Sequence, residues 1–291
     1  MKIAIHGRQV GEDRFPYIHR LFDELRQRKA EVVLSHILFD QLRDTPVPCE
    51  EYPTYQGKDG VPPVDFVISV GGDGTLLETV THVRNQEIPI LGVNIGRLGF
   101  LATVSQDQIK EAVDALYQQR FTYDYRTLVS IDDSVPLDDG LNFALNELTI
   151  IKKDISAMIV VQAYVNDEYL NAYWADGLMI ATPTGSTGYS LSCGGPVVTP
   201  QSRNLIITPV SPHNLTVRPL VIPDDSVISI KIEGRSENCL LSLDSRPYTI
   251  NMTDKICIRK ADFRVKLVKF TGDNFLNTLR QKLNWGLDVR N

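Results

Sequence analysis

The residues best suited to chemistry form a short glycine-rich run around one carboxylate, Gly71-Gly72-Asp73-Gly74-Thr75. The run follows an apolar segment at 64–70 and precedes apolar residues of helical spacing at 76–83, so it connects a strand to a helix. Glycines there let a ligand approach the backbone, and free N–H groups at the helix start favour an anion such as phosphate. A carboxylate in such a loop needs a role, so we expect Asp73 to hold a metal ion or to accept a proton from an attacking hydroxyl.

The glycine run matches neither of the two common nucleotide loops, since it is not a G-x-x-x-x-G-K-[ST] loop and not a G-x-G-x-x-G loop. The alternative is an ordinary strand-to-helix turn with an aspartate near the helix start. Three glycines around one aspartate exceed what a turn needs, so function is the favoured interpretation.

The first third of the chain alternates between strands and helices, which indicates a parallel sheet covered on both faces. The predicted strands are 2–6, 31–34, 64–70 and 88–93, and the predicted helices are 14–29, 39–43, 76–83 and 106–119. Ligands of such sheets bind at the carboxyl ends of the strands, which is where the glycine run lies.

From about residue 125 the pattern changes to successive strand-like runs, including 145–151, 255–258 and 263–269, and a helix is predicted at 275–283. We therefore expect an α/β N-terminal domain with a parallel sheet (1–125), a β-rich, sandwich-like domain (126–270) and a C-terminal helix (271–291).

Several further polar motifs have both a functional and an ordinary interpretation. The glycine-spaced turn at 92–101 is either a packing loop or a site in which Arg97 faces a phosphate. Asn146-Glu147 either faces solvent or grips ribose hydroxyls or an amide, and Asp176-Gly177 is typical of a hairpin corner.

The segment 182–192 is rich in hydroxyl groups and glycine and contains Tyr189, whose ring can stack on a planar group. A flexible linker is the alternative, which the flanking apolar strand disfavours. His213 is more typical of a structural than of a catalytic histidine, and no metal-ligand spacing of His or Cys occurs. Trp174 and Trp285 are more typical of packing residues, and Asp244-Ser245-Arg246 of a hairpin turn.

Composition excludes several classes of protein. The net charge of −6 comes without a basic stripe, so nucleic acid is not expected as a partner, and no apolar run approaches a membrane span. The cysteines, Cys49, Cys193, Cys239 and Cys257, have no C-x-x-C spacing and are expected to be free thiols in a reducing cytoplasm.

Together these motifs resemble those of the bacterial NAD kinases, in order and spacing and over essentially the whole chain. The resemblance is carried by 71–75, 92–101, Asn146-Glu147, Asp176-Gly177, 182–187, 211–213, 218–220 and 279–286. The glycine loop alone also resembles lipid kinases and phosphofructokinases, whereas the segment 182–192 makes the likeness specific.

The resemblance implies Mg²⁺-dependent (or other divalent cation-dependent) transfer of the ATP γ-phosphoryl group to the 2′-hydroxyl of the adenosine ribose of NAD. It implies that Asp73 is the proton acceptor, and it assigns no residue as a metal ligand. It further implies that the last helix returns to the first domain. The implied partners are small-molecule nucleotides, and the implied assembly is a cytoplasmic homodimer or homotetramer. The implied nucleotide-binding residues are Gly72, Gly74, Thr75, Asn94, Asn146, Glu147, Trp174, Asp176, Thr187, Gly188, Tyr189, Ser190, Leu191, Ser192 and Arg246.

The chain departs from the family pattern at three positions. Trp174 stands where many members have a basic residue, Gly188 replaces an alanine, and Asp244-Ser245-Arg246 replaces Asp-Gly-Gln. We expect Trp174 to stack and Arg246 to reach a phosphate.

The alternatives to an NAD kinase are a lipid or sugar kinase sharing the glycine loop, or a catalytically silent sensor of NAD or NADP.

Overall fold

The computed structural model describes residues 1–8, 10–96, 99–132, 135–154 and 158–286. The chain divides into two compact units, one made of Met1–Tyr125 with Val265–Asn291 and the other of Arg126–Arg264. The helices of the described residues are α1 (Phe15–Gln27), α2 (His36–Leu42), α3 (Asp73–Val83), α4 (Ile109–Tyr117), α5 (Tyr189–Ser192) and α6 (Phe275–Leu283). Among these described helices, none has the length and apolar character needed to cross a bilayer.

The first unit is built on a parallel sheet. Its strands are β1 (Lys2–Gly7), β2 (Glu31–Ser35), β3 (Thr54–Tyr55), β4 (Phe66–Val70), β5 (Ile90–Asn94) and β6 (Val104–Ser105). The order is β3-β2-β1-β4-β5 with every neighbouring pair parallel, and β6 pairs with β5. Since the chain order reverses between β1 and β4, the carboxyl ends of these two strands form the usual ligand crevice of an open α/β sheet.

The sheet of the first unit is buried on both faces, because every residue of β4 and β5 is buried. Leu21 and Phe22 of α1 and Leu116 of α4 pack in one core with strand residues such as Ile5 and Ile68. All-apolar strands under amphipathic helices are what a parallel sheet requires.

The second unit contains antiparallel strands in two groups. The remaining strands of the described residues are β7 (Thr122–Ile131), β8 (Phe143–Ala144), β9 (Glu147–Lys152), β10 (Ile159–Val165), β11 (Glu168–Ala175), β12 (Gly177–Ala181), β13 (Asn204–Val210), β14 (Leu220–Pro223), β15 (Ile228–Glu233), β16 (Asn238–Leu243), β17 (Arg246–Asn251) and β18 (Ile256–Lys269). One group has the order β14-β13-β12-β9-β16-β17, and the other contains β11-β10-β15-β18. The chain crosses between the units within β7 and within β18.

Apolar side chains from both groups of strands fill a single core. Val161 of β10 and Ile230 of β15 pack there with Ile180 of β12 and Leu241 of β16. The burial alternates along β10 and β16, as expected for strands with one face toward a core. The predicted fold class, an α/β domain followed by a sandwich-like β domain and a C-terminal helix, is confirmed.

Some predicted elements differ in their bounds. The two strands predicted at 255–258 and 263–269 are one strand, β18. The helix predicted at 106–119 opens with a 3-10 turn, Gln106–Gln108, and the helix predicted at 76–83 begins three residues earlier at Asp73. Strands β14 and β17 were not predicted; both contain proline, which weakens a strand pattern, and β14 has only four residues.

Candidate active site

The glycine loop lies between β4 and α3, at the point where the strand order of the sheet reverses. Gly72 is the N-cap residue of α3, and no side chain of the described residues caps this helix. Gly71 has to be glycine because a Cβ there would collide with the side chain of Thr75. The first N–H groups of α3 are thus available, together with the positive end of the helix dipole, to bind an anion.

Gly72 and Gly74 give this loop an open surface. Apart from the adjacent residues and the nearby backbone of α3, no atom of the described chain lies within 4 Å of the position that a Cβ would take at either residue. A phosphate group can therefore approach the loop backbone closely at both positions.

The carboxylate of Asp73 is tied to the loop at residues 100–102. Its Oδ2 accepts a hydrogen bond from the N–H of Phe100 at 2.7 Å, and its Oδ1 accepts from Leu101 at 3.0 Å and Ala102 at 3.2 Å. Gly99 permits this approach, because a Cβ at that position would collide with the same carboxylate. Since a carboxylate has about four acceptor positions, Oδ2 retains one for a further donor.

Asn94 shapes the turn that follows β5. Its Oδ1 accepts a hydrogen bond from the N–H of Gly96 at 2.8 Å, and its Nδ2 donates to the carbonyl of Ala102 at 3.5 Å. The amide therefore supports the same connection that Asp73 holds, and its predicted contact with a nucleotide stays a prediction. Arg97 and Leu98 lie outside the described residues.

In the second unit, Asn146 and Glu147 stand at the start of β9, held by a carboxylate from a distant turn. The Oδ2 of Asp244 accepts a hydrogen bond from the N–H of Leu145 at 2.5 Å, and its Oδ1 accepts from Asn146 at 2.7 Å and Glu147 at 3.2 Å. Burial raises the pKa of Asp244, and these three bonds oppose the shift. Three fixed N–H groups orient the polar pair.

The polar pair presents oxygens without partners. Asn146 Oδ1 and Glu147 Oε2 are buried and accept no hydrogen bond from the described residues. Glu147 is 9% exposed, so it does not face solvent. Burial, and secondarily the charge of Asp244, raises the pKa of Glu147 to about 8. Buried polar atoms left unpaired are costly, so a ligand with hydroxyl or amide groups is the natural partner.

The segment 182–192 folds against this pair and is not a linker. It forms a 3-10 turn at Gly185–Thr187 followed by α5. The N–H of Thr182 donates to the carbonyl of Asn146 at 2.9 Å, and Gly185 packs so closely on that carbonyl that a Cβ would collide with it. The Cβ position of Gly188 is 3.3 Å from Glu147 Oε2.

The side chains of this segment point in different directions. The ring of Tyr189 is 42% exposed and available for stacking, whereas Ser190 is buried and its Oγ lies 3.1 Å from Thr208 Oγ1. Thr187 Oγ1 donates to the carbonyl of Thr184 at 3.4 Å, a weak internal contact. The predicted roles of Thr187, Ser190, Leu191 and Ser192 in nucleotide binding stay predictions.

Asp176 lies between β11 and β12, which pair with different groups of strands, so the hairpin interpretation of Asp176-Gly177 is wrong. Gly177 is needed because a Cβ there would collide with the carbonyl of Ile150. Asp176 Oδ1 lies 2.6 Å from Lys152 Nζ. Trp174 is 57% and Trp285 52% exposed, so neither is a core residue, and the predicted stacking of Trp174 stays a prediction.

Arg246 is occupied by backbone carbonyls. Its guanidinium donates to the carbonyls of Leu141 and Leu243, both at 3.1 Å, and to that of Phe143. These contacts hold the chain around residues 141–143 and use most of the five N–H donors of the guanidinium. The predicted contact of Arg246 with a phosphate stays a prediction. The predicted hairpin turn at Asp244-Ser245 is confirmed.

Two features of the structure had no counterpart in the sequence predictions. The clamps formed by Asp73 on 100–102 and by Asp244 on 145–147 join positions far apart in the chain, which spacing does not reveal. The same holds for a cluster of His6, Glu78 and His82 in the first unit. The spacing of Glu78 and His82, four residues apart in a predicted helix, was the available signal.

A phosphate-binding loop with a carboxylate at its centre is typical of a phosphotransferase, and the chain belongs to this class of enzyme. Residues 49–121 match the family model of the ATP-NAD kinase N-terminal domain, and residues 145–270 match that of the C-terminal domain. The chain belongs to the ATP-NAD kinase family.

Individual relatives agree with this family. The chain is 45% identical to the NAD kinase of Cytophaga hutchinsonii and 46% identical to that of Flavobacterium psychrophilum, in each case over 100% of both chains. Among solved structures it is similar to yeast NADH kinase complexed with NADH (TM-score 0.87, 25% identity, 100% of this chain and 89% of that one). It is also similar to an NAD kinase from Archaeoglobus fulgidus in complex with ATP (TM-score 0.75, 26% identity, 98% and 99%).

Proposed function

We propose that this enzyme transfers the γ-phosphoryl group of ATP to the 2′-hydroxyl of the adenosine ribose of NAD, giving NADP, with Mg²⁺ or another divalent cation. The observation that carries the acceptor assignment is the buried pair of unpartnered oxygens, Asn146 Oδ1 and Glu147 Oε2. Ribose hydroxyls and the amino group of adenine are donors of the kind that such oxygens lack.

The donor phosphates bind at the glycine loop. This assignment is supported by the uncapped start of α3 and by the open space over Gly72 and Gly74. In-line positioning of the phosphates by fixed N–H groups supplies much of the rate of a phosphoryl transfer. A carboxylate at this loop, Asp73, fits a site for a cation that is held mainly by the phosphates and that neutralises their charge when bound.

NAD binds through the second unit. Asn146 and Glu147 accept hydrogen bonds from its sugar, and the exposed ring of Tyr189 stacks on a planar ring of the nucleotide. Trp174 adds a second exposed ring, and Asp176 a carboxylate. The similar yeast enzyme is complexed with NADH and the archaeal enzyme with ATP, which is consistent with both kinds of nucleotide being substrates here.

Asp73 accepts the proton of the 2′-hydroxyl. The support is the remaining acceptor position on Oδ2 and the three N–H groups that fix the carboxylate in one orientation. A sugar hydroxyl is a poor nucleophile at neutral pH, and a positioned carboxylate assists its attack. The same negative charge repels the 2′-phosphate of the product and favours its release.

We further propose a homodimer or homotetramer in the cytoplasm. The four free cysteines suit a reducing compartment, and large apolar side chains such as Tyr169 and Leu215 are exposed on the second unit.

A product assay tests the proposed reaction. The purified enzyme is incubated with Mg²⁺-ATP and, separately, with NAD, a sugar phosphate and diacylglycerol, and the product of each is identified by mass and by ³¹P NMR. We expect NADP from NAD and no product from the other two. Phosphorylation of a lipid or sugar alone, or NAD binding without turnover, would reject the proposal.

A further inference from the structure

Three side chains with metal-binding atoms converge in the first unit, below the glycine loop. They are His6 on β1 and Glu78 and His82 on α3, and one ligand atom from each lies within 4.8 Å of the others. Glu78 and His82 are four residues apart and therefore lie on the same face of the helix.

The spacing of these atoms suits a tetrahedral ion. His6 Nε2 and Glu78 Oε2 are 3.6 Å apart. Ligand atoms at the usual zinc distances, about 2.0–2.2 Å, are separated by roughly 3.3–3.5 Å in a tetrahedral site. The first pair is thus close to its bound separation, and the ligand atom of His82 has at most about 1.5 Å to move.

His6 is fully buried, and its Nε2 has no hydrogen-bond partner among the described residues. The other ring nitrogen, Nδ1, lies 2.9 Å from Ser35 Oγ. A hydrogen bond on one ring nitrogen, with the other nitrogen facing a ligand position, is the usual arrangement of a metal-bound histidine. His82 is also held in place: its Nδ1 lies 3.3 Å from the hydroxyl of Tyr55, and Gly57 packs so closely on its Nε2 that a Cβ there would collide with the ring.

We propose that His6, Glu78 and His82 form a binding site for a divalent transition-metal ion, with Zn²⁺ as the favoured occupant. Two imidazoles and one carboxylate favour zinc over magnesium, which prefers oxygen ligands. Water takes the fourth position. An ion there fastens α3, the helix that begins with Asp73, to β1.

Arg8 competes for this site. Its Nη1 lies 3.2 Å from Glu78 Oε2, and its side chain is largely exposed. The ion displaces this guanidinium into solvent, so removal of Arg8 strengthens metal binding while removal of Glu78 weakens it.

The test uses the full-length chain without a histidine tag, stripped of metal, and titrated with ZnCl₂ by calorimetry in excess Mg²⁺. We expect one zinc ion per chain, weakened at least about tenfold by Glu78→Gln and by His82→Gln. The matched variant Arg8→Gln is expected to bind zinc about two- to fivefold more tightly.

Cobalt provides a second readout. Co²⁺ in the wild-type chain is expected to give the visible absorption of a tetrahedral nitrogen and oxygen site, lost in His82→Gln. Circular dichroism checks that each variant is folded. Zinc affinity unchanged in both Glu78→Gln and His82→Gln, cobalt absorption typical of cysteine ligands, or no zinc binding by the wild-type chain would overturn the proposal.

Discussion

At the scale of single residues, two aspartates use the same device in the two units. Asp73 accepts hydrogen bonds from the N–H groups of 100–102, and Asp244 accepts from those of 145–147. Each carboxylate satisfies three consecutive N–H groups that would otherwise lack strand or helix partners. In the first unit the clamping carboxylate is itself the proposed proton acceptor, so structure and chemistry depend on one side chain.

The contact between Gly99 and Asp73 can be tested by Gly99→Ala. The added Cβ pushes the loop off the carboxylate, so we expect kcat for NADP formation to fall by about 10- to 100-fold. Gly96→Ala is the matched control, because its Cβ meets its nearest neighbour, Arg14, at an ordinary 3.6 Å. Steady-state kinetics compare the two variants, and wild-type kcat in Gly99→Ala would contradict the clamp.

The raised pKa of Glu147, about 8, predicts a pH dependence of stability. Between pH 4.5 and about 8 the carboxyl of Glu147 stays protonated in the folded chain but is ionised in the unfolded chain. The free energy of unfolding therefore falls as pH rises through this range, by up to about 1.4 kcal/mol per pH unit. Glu147→Gln removes this slope. Urea denaturation without nucleotide at several pH values measures the slope. Glu168→Gln, which changes an exposed glutamate, is the control. If Glu147→Gln showed the same dependence of stability on pH as the wild-type chain, the assignment to Glu147 would be refuted.

At the scale of elements, the turn between β16 and β17 carries strain that the sequence departure explains. Asp244 and Ser245 have φ of 49° and 66°, the left-handed conformation of a two-residue hairpin turn that prefers glycine at its second position. Ser245→Gly should therefore stabilise the chain by about 0.5–1 kcal/mol. The midpoint of chemical denaturation reports it, and an unchanged or lower midpoint would argue against strain at this turn.

The turn at 182–188 depends on how closely it packs on Asn146. The Cβ added by Gly185→Ala collides with the carbonyl of Asn146 and should displace the turn. Because misplaced binding groups lose much of their effect, we expect the KM for NAD to rise about tenfold or more. Gly188→Ala is the milder comparison, since a Cβ there meets Glu147 Oε2 and the carbonyl of Gly185 at 3.3 Å, contacts that a shift of a few tenths of an ångström relieves. Equal effects of the two substitutions on the KM for NAD would contradict this role of Gly185.

At the scale of the whole molecule, the sequence predicts what depends on local periodicity. The alternating strands and helices around 64–83 predict the parallel sheet and the position of the glycine loop, because a 2.0- or 3.6-residue period is visible within one segment. The C-terminal helix is predicted at its observed bounds, Phe275–Leu283, for the same reason.

The sequence does not predict contacts between distant segments. Nothing near Asp244 indicates that it holds 145–147, and nothing near His6 indicates that it meets Glu78 and His82. The path of the chain from β11 to β12 likewise depends on which strands they pair with, so Asp176-Gly177 resembled a hairpin corner. The sequence likewise does not indicate which groups accept hydrogen bonds from Arg246, because the carbonyls that do so meet it only in the fold.

The role of Asp73 as proton acceptor is tested most directly by the kcat of Asp73→Asn for NADP formation at saturating NAD and Mg²⁺-ATP. The dissociation constants of both nucleotides are measured by calorimetry on the same variant, and Gly99→Ala serves as the variant that disturbs the loop but keeps the carboxylate. We expect kcat to fall at least about 100-fold, further than in Gly99→Ala, while both nucleotides still bind. A kcat close to that of the wild-type enzyme would contradict the role of Asp73.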